Sequence, residues 1–225
     1  MVGNVLFFGR KNCKFSNELK RYLKKKSLKF YYIESYRYNQ KNNYKKFFEK
    51  KIDYIFCFRS YFILKPKELI KAKKAAINFH PGPPEFRGVG CVNNAIYKGS
   101  KYYGCTAHIM DPIVDSGAII GIKRFKIGKN DSVERVLYKT HKNLFYLAKK
   151  TIDILQKKEK NLIFLLNKYK NIKWSKKLYK KKDLEKFYEI KKNINKKRFE
   201  KILQSTITKL FKPYITIHKK KFFLE

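Results

Sequence analysis

Asn78 and His80 stand one residue apart at the end of the apolar run AAINFH. Side chains at i and i+2 of a strand share a face, so the pair presents its polar groups together at the strand's carboxyl end. In an open α/β sheet that edge is where ligands bind. A carboxamide donor beside an imidazole suits one kind of chemistry, acyl transfer, in which the oxyanion of a tetrahedral intermediate is held while a proton moves. His80 would act as general acid and base, or when charged as a second oxyanion donor, with Asn78 as the neutral donor. A histidine in that role needs a carboxylate to orient it or take its proton. The turn MDPIVDSGAII offers Asp111 and Asp115. Asp115 is the better placed, because the turn through Ser116 and Gly117 can aim it inward, whereas Asp111 before Pro112 starts the turn. Taken singly each residue also has a structural reading, Asp115 as a turn cap and His80 as a partner of loop backbone.

The segment between these residues is built to be stiff. Pro81, Gly82, Pro83 and Pro84 follow His80 directly, and prolines lose little entropy on folding. Gly88 allows a sharp turn into the next helix. The same region is electrically neutral in a chain of formal net charge +39: from Ala76 to Ile122 three basic residues (Arg87, Lys98, Lys101) balance three acidic ones (Glu85, Asp111, Asp115). The excess charge is mostly lysine spread along helices and not arginine patterned to read bases, so compositional bias explains it, and a nucleic-acid partner is left open but not favoured. With 44% hydrophobic residues, including 17 Tyr and 19 Phe, the 225-residue chain has ample core material and is not a disordered polycation.

Cys13, Cys57, Cys91 and Cys105 have no C-x-x-C spacing, which argues against structural zinc and disulfides and for a reducing, cytoplasmic setting. His80 and His108 could imitate a metal pair, yet no third ligand is suitably spaced, and no metal is expected. His108 by itself reads as a packed or partner-satisfied histidine. No apolar run reaches the length of a membrane span, and no targeting segment precedes the first strand.

Periodicity predicts an α/β fold, a Rossmann-like and mostly parallel sheet flanked by helices. Strands are expected at NVLFF, LKFYYIE, DYIFCF, AAINFH, YGCTAHIM and AIIGIKRFKI, the last two as a hairpin extension of the sheet. Helices are expected at FSNELKRYLKKK, NNYKKFFEKK, KPKELIKAKK, GCVNNAIYKG and DSVERVLYKTHKNLFYLAKKTIDILQ, the last capped by Asp131. The first turn, FFGRKNCKFS, has a single glycine, so neither a dinucleotide fingerprint nor a P-loop is present. Residues 1–160 form the expected main domain. Residues 161–225 form a small lysine-rich α+β tail with a helix, the linker KYKNIKWSKKLYKKKD, another helix and a terminal PYITIHKKKFFL hairpin.

The ordered set NFHPGPPEFRG, NNAIYKG and YGCTAHIMDPIVDSGAII resembles the folate-dependent formyltransferases over about Met1 to Lys150. The resemblance implies a catalytic Asn78, His80 and Asp115, N10-formyltetrahydrofolate as formyl donor and an amine as acceptor. It also implies a folate pocket bordered by Ser60 and Tyr61 after the third strand, with Pro84, Gly88, Val114 and Gly117 around the catalytic groups. Where many members carry a serine and two leucines before the second proline, this chain has Gly82 and Pro83. Among acceptors, the tail resembles that of sugar N-formyltransferases and points to a nucleotide-linked amino sugar. Methionyl-tRNA and glycinamide ribonucleotide are the alternatives; the first would call for a β-barrel domain after the catalytic one. Formyltetrahydrofolate hydrolysis would call for a regulatory domain before a first strand that here begins at Asn4. A non-catalytic basic nucleic-acid-binding protein on the same fold is the alternative of another class. Trp174, the only tryptophan, is expected to stack on a nucleotide base or to pack the tail onto the main domain. A homodimer is compatible with the tail.

Overall fold

The computed structural model describes residues 2–36, 44–157, 161–209 and 211–224. Its centre is a six-stranded sheet of β1 (Asn4–Arg10), β2 (Lys29–Ser35), β3 (Ile52–Phe58), β4 (Ala72–His80), β6 (Tyr102–Ile109) and β7 (Ile119–Lys126), in the order β2-β1-β3-β4-β6-β7. The first four strands run parallel, β6 returns antiparallel to β4, and β7 is antiparallel to β6. The α/β, mostly parallel sheet expected from the periodicity is therefore present.

The central strands are buried on both sides, which is why β1 and β3 are near-continuous apolar runs. Their period of two divides them between two cores. Val5, Phe7, Phe56, Phe58, Ile77 and Phe79 face α1 (Lys14–Lys26) and α4 (Val133–Lys157), meeting Leu19, Leu23, Leu144 and Ile152. Leu6, Phe8, Ile55, Cys57 and Ala76 face the other way, toward Phe48, Phe62 and Leu64. A third cluster joins Phe86, Val92, Ile96, Tyr103, Val136 and Tyr179.

Three local expectations change. The helix expected over residues 65–74 is only α2 (Pro66–Leu69), and β4 already begins at Ala72, because Ala72 pairs with Ile52 of β3 and sheet pairing outweighs helix propensity there. Part of the NNYKKFFEKK helix falls on residues 42 and 43, outside the described residues; the remainder is a short 3-10 helix, Lys45–Glu49, burying Phe48. At the start of α4 it is the Ser132 hydroxyl that accepts from Arg135 N, while buried Asp131 bonds Gly128 N and the Lys139 ammonium.

The C-terminal part is laid against the main sheet domain. It comprises α5 (Asn161–Tyr169), β8 (Leu178–Tyr179), α6 (Lys181–Tyr188), α7 (Lys196–Thr206) and the hairpin β9 (Tyr214–Ile217) with β10 (Lys220–Phe223). Within the stretch read as a linker, β8 pairs in parallel with β5 (Arg87–Gly88). From α3 (Cys91–Tyr97), the buried Asn93 amide donates to Ser205 O of α7 at 2.7 Å. Among the described residues no helix is long and apolar enough to cross a membrane.

Phe56 is fully buried, stacked on Tyr54 at 5.5 Å and tilted against Phe79 at 5.9 Å. Phe56→Ala should lower stability by about 3–5 kcal/mol, read as a lower denaturant midpoint with an unchanged slope.

Candidate active site

β4 divides its residues between core and site. Ile77 and Phe79 enter the α1/α4 core, so Asn78 and His80 face the opposite side, at the carboxyl end of the strand. β6 then places His108 directly across from Asn78. The chain leaves β6 through a turn in which Asp115 adopts φ +50, a left-handed conformation that Asp tolerates better than most residues. That turn is held in place by the Arg87 guanidinium, which donates to Val114 O at 2.9 Å.

Four groups converge on the Asp115 carboxylate. Oδ2 accepts from Gly88 N at 3.0 Å and lies 3.3 Å from His80 Nδ1. Oδ1 accepts from Asn78 Nδ2 at 3.4 Å and lies 3.5 Å from His108 Nε2. Asp115, His80 and His108 are each no more than 5% exposed. Burial by itself would raise the Asp115 carboxyl; His80, then His108 and the Gly88 N–H, outweigh it and hold the group down to about 2. Asp115 is therefore ionised at neutral pH.

The histidine contacts fix proton positions. Ile109 O can only accept, so His108 Nδ1, 2.8 Å away, carries a hydrogen and a neutral His108 accepts from Asn78 through Nε2, at 3.1 Å. His80 has acceptors at both nitrogens, Asp115 at Nδ1 and Phe86 O at 3.2 Å from Nε2. Only the imidazolium donates to both. Burial opposes that charge and is the larger effect, so the His80 pKa lies below the ordinary 6.5 despite Asp115. The Cys91 thiol behind it donates to Gly88 O at 3.1 Å.

Asn78, His80, His108 and Asp115 line a cavity of about 420 Å³, within the usual size for small-molecule sites. Ser60, Tyr61, Gly88 and Val114 also border it. Pro84 and Gly117, grouped with them in the sequence, have another attachment: Pro84 O accepts from Ser175 N at 2.9 Å and Gly117 O from Trp174 Nε1 at 2.8 Å, because their carbonyls face the C-terminal segment. Asp111 stays exposed and bonds Ile113 N and Ser116 within its own turn.

The cavity also holds groups that sequence reasoning did not assign. Arg10 from the end of β1 stacks on Tyr61 with its guanidinium 4.4 Å from the ring centre. Arg59, at φ +53 after β3, donates to Cys13 Sγ at 3.0 Å. His141 from α4 is pushed down to about 2 by burial and by Arg59 and Arg10, so it is neutral. Among the described residues neither guanidinium has a carboxylate within ion-pair distance, which leaves two positive charges for an anionic ligand. The only signal in the sequence was the presence of two arginines at strand ends.

A stiff loop joined to a buried His and Asp and a half-buried Asn, at the carboxyl edge of a parallel sheet, defines a polar group-transfer site. Residues 6–146 match the formyl transferase family model, and the chain belongs to that family. Among curated proteins it is 37% identical over 67 residues to the phosphoribosylglycinamide formyltransferase of Bacillus subtilis (29% of this chain, 34% of that protein). It is 36% identical over 73 residues to the methionyl-tRNA formyltransferase of Orientia tsutsugamushi (32% and 24%). These alignments span less than half of either relative.

Among solved structures, a 4-N formyltransferase of Francisella tularensis superposes with a TM-score of 0.77 at 21% identity, covering 98% of this chain and 96% of that one. An N-formyltransferase of Helicobacter canadensis, solved with folinic acid and dTDP-3-aminofucose, gives 0.72 at 20% identity over 97% and 85%. At such identities the likeness is one of fold, and it extends through the C-terminal segment.

A Cβ on Gly82 would lie 2.6 Å from both His80 Nε2 and Phe86 O, so Gly82→Ala should push the imidazole from its place with little change in overall fold, detectable as a displaced His80 ring resonance. Asp115 adds stability that is complete above its ordinary pKa of 3.8 and is lost as pH falls to about 2, so the stability gap between wild type and Asp115→Asn should close across that interval in denaturant titrations.

Proposed function

We propose that the protein transfers a formyl group from N10-formyltetrahydrofolate to the amino group of a nucleotide-linked amino sugar. The observation that carries the transfer reading is the convergence of Asn78, His80 and Asp115 on one cavity. The neutral amine attacks the formyl carbon. The developing oxyanion takes a hydrogen bond from Asn78, whose 3.4 Å contact with Asp115 is long and readily exchanged, and a second from His80 when its imidazole is already protonated. Asp115, directly or through water, accepts the amine proton. As the C–N bond to folate breaks, the proton taken by Asp115 passes, directly or through water, to the folate nitrogen, and tetrahydrofolate leaves. Asn78, His80 and Asp115 are the catalytic residues in this scheme.

The choice of acceptor is supported by Arg10 and Arg59, which suit the diphosphate linking a nucleotide to a sugar. The apolar Phe62, Leu64, Leu69 and Met110 in the same cavity suit the flat ring system of the donor. Residues 1–160 are read as the catalytic domain and 161–225 as its extension. Formyl donor and acceptor are small molecules, and the reaction calls for no metal.

The test follows tetrahydrofolate release from N10-formyltetrahydrofolate with nucleotide-linked 3-amino and 4-amino sugars, glycinamide ribonucleotide, methionyl-tRNA and no acceptor. Release is expected only with an amino sugar nucleotide, and His80→Ala or Asp115→Ala should lower kcat by on the order of a hundredfold or more. Arg59→Ala should raise KM for the diphosphate-bearing acceptor by roughly tenfold, leaving kcat within about twofold. Release with another acceptor reassigns the substrate, release with none means hydrolysis, and no release under any condition sinks the reading.

A further inference from the structure

Trp174 lies outside the stretch matched by the family model, in the segment connecting α5 to β8, yet it touches the centre of the site. Its indole stands nearly perpendicular to two imidazoles at once, with ring centres 5.1 Å from His108 and 5.8 Å from His80. Its Nε1–H donates to Gly117 O at 2.8 Å, two residues from Asp115. The neighbouring residues hold the other side of the site: Ser175 N donates to Pro84 O, Val89 N donates to Tyr179 O at 2.8 Å, and β8 pairs with Arg87 and Gly88. Residues 174–179 thus strap the loop after His80 to the turn that carries Asp115.

We propose that Trp174 is a positioning residue for His80 and His108, holding the two imidazoles and the Asp115 turn in one arrangement and keeping water off the rings. A catalytic role for that positioning rests on the formyl-transfer reading above; the effect on the imidazoles does not. The surroundings of His80 explain why a shield there matters. Asp115 faces it from the turn between β6 and β7, His108 from β6, Arg87 and the Phe86 carbonyl from the loop, and the Cys91 thiol from α3. Asp115 favours a proton on His80, whereas His108, Arg87 and above all burial oppose it. Trp174 adds apolar surface to that balance without adding charge. Removing it admits water, weakens the opposition from burial, and leaves Asp115 to draw the proton on.

The chain has four histidines and a single tryptophan, which makes the test direct. The imidazole Cε1–H resonances of the wild type, Trp174→Ala and Trp174→Phe are titrated by NMR, each assigned by substituting one histidine. In Trp174→Ala the His80 titration should move up by roughly one pH unit, with Trp174→Phe, which keeps a ring but not the N–H, moving less. His218, on the terminal hairpin, is the control and should not move. Where formyl transfer is measured, the acid limb of kcat moves up with His80. Coincident His80 curves in wild type and Trp174→Ala would reduce Trp174 to packing and overturn the proposal.

If Trp174→Ala does not fold, the wild type still decides. Trp174 emission should fall as the neighbouring imidazoles gain protons, and His80→Asn with His108→Asn should abolish that fall. Emission unchanged until acid unfolding would overturn the contact. No substrate enters either measurement, so a protein without formyl transfer but with these titrations loses the functional reading and keeps this one, and the converse result separates them the other way.

Discussion

A carboxylate with only about 5% of its surface exposed must be surrounded by donors or give up its charge, and the site is organised by that requirement. Asp115 is served by Gly88 from the stiff loop and by Asn78 and His80 from β4, while His108 from β6 lies 3.5 Å from Oδ1. These groups come from three separate parts of the chain. Their positions are set by the sheet, because Asn78 and His108 are cross-strand partners and His80 follows on the same face. Losing any one donor would leave the buried charge less well satisfied, so the carboxylate couples strand register, loop conformation and turn geometry to one another.

The neutrality of this region contrasts with the rest of the molecule. Many of the described lysines lie on exposed helix faces or over aromatic rings, as Lys20 does above Tyr32 and Lys149 above Tyr22, where the stem covers apolar surface. Inside the cavity the cationic groups are arginines, whose planar guanidinium is less strongly hydrated than an ammonium and therefore costs less to bring near a buried site. The overall charge of +39 is thus compatible with a small-molecule pocket whose own electrostatics are set by a few residues.

That Asn78, His80 and Asp115 could lie together was legible in the sequence because strand alternation and turn chemistry are local rules, and the fold was legible because central strands and amphipathic helices have different periods. His108 was visible as a residue but not as a neighbour of Asn78: that requires knowing that β6 runs antiparallel to β4 and in which register. Arg59 owes its place to a left-handed backbone after β3, which no residue pattern announced. Trp174 reads in the sequence as stacking on a nucleotide base or packing the tail onto the main domain, but its contact with His80 and His108 was not legible, since a two-residue pairing between β5 and β8 leaves no periodic trace. Helix length failed at residues 70–74 for a similar reason, as pairing of Ala72 with Ile52 is a contact distant in sequence.

The division of β4 between core and site has a consequence for how this chain can change over time. Ile77 and Phe79 anchor one hydrophobic core while Asn78 and His80 point to the opposite side. Inserting or deleting one residue ahead of Ile77 would exchange the two sets, burying a carboxamide and an imidazole among phenylalanines and presenting apolar side chains to the cavity. Drift toward lysine can proceed over the exposed helices one residue at a time with little effect on folding. Along residues 75–80 only replacements that preserve the count are open to it, so a lineage of this protein should vary in composition there far more readily than in length.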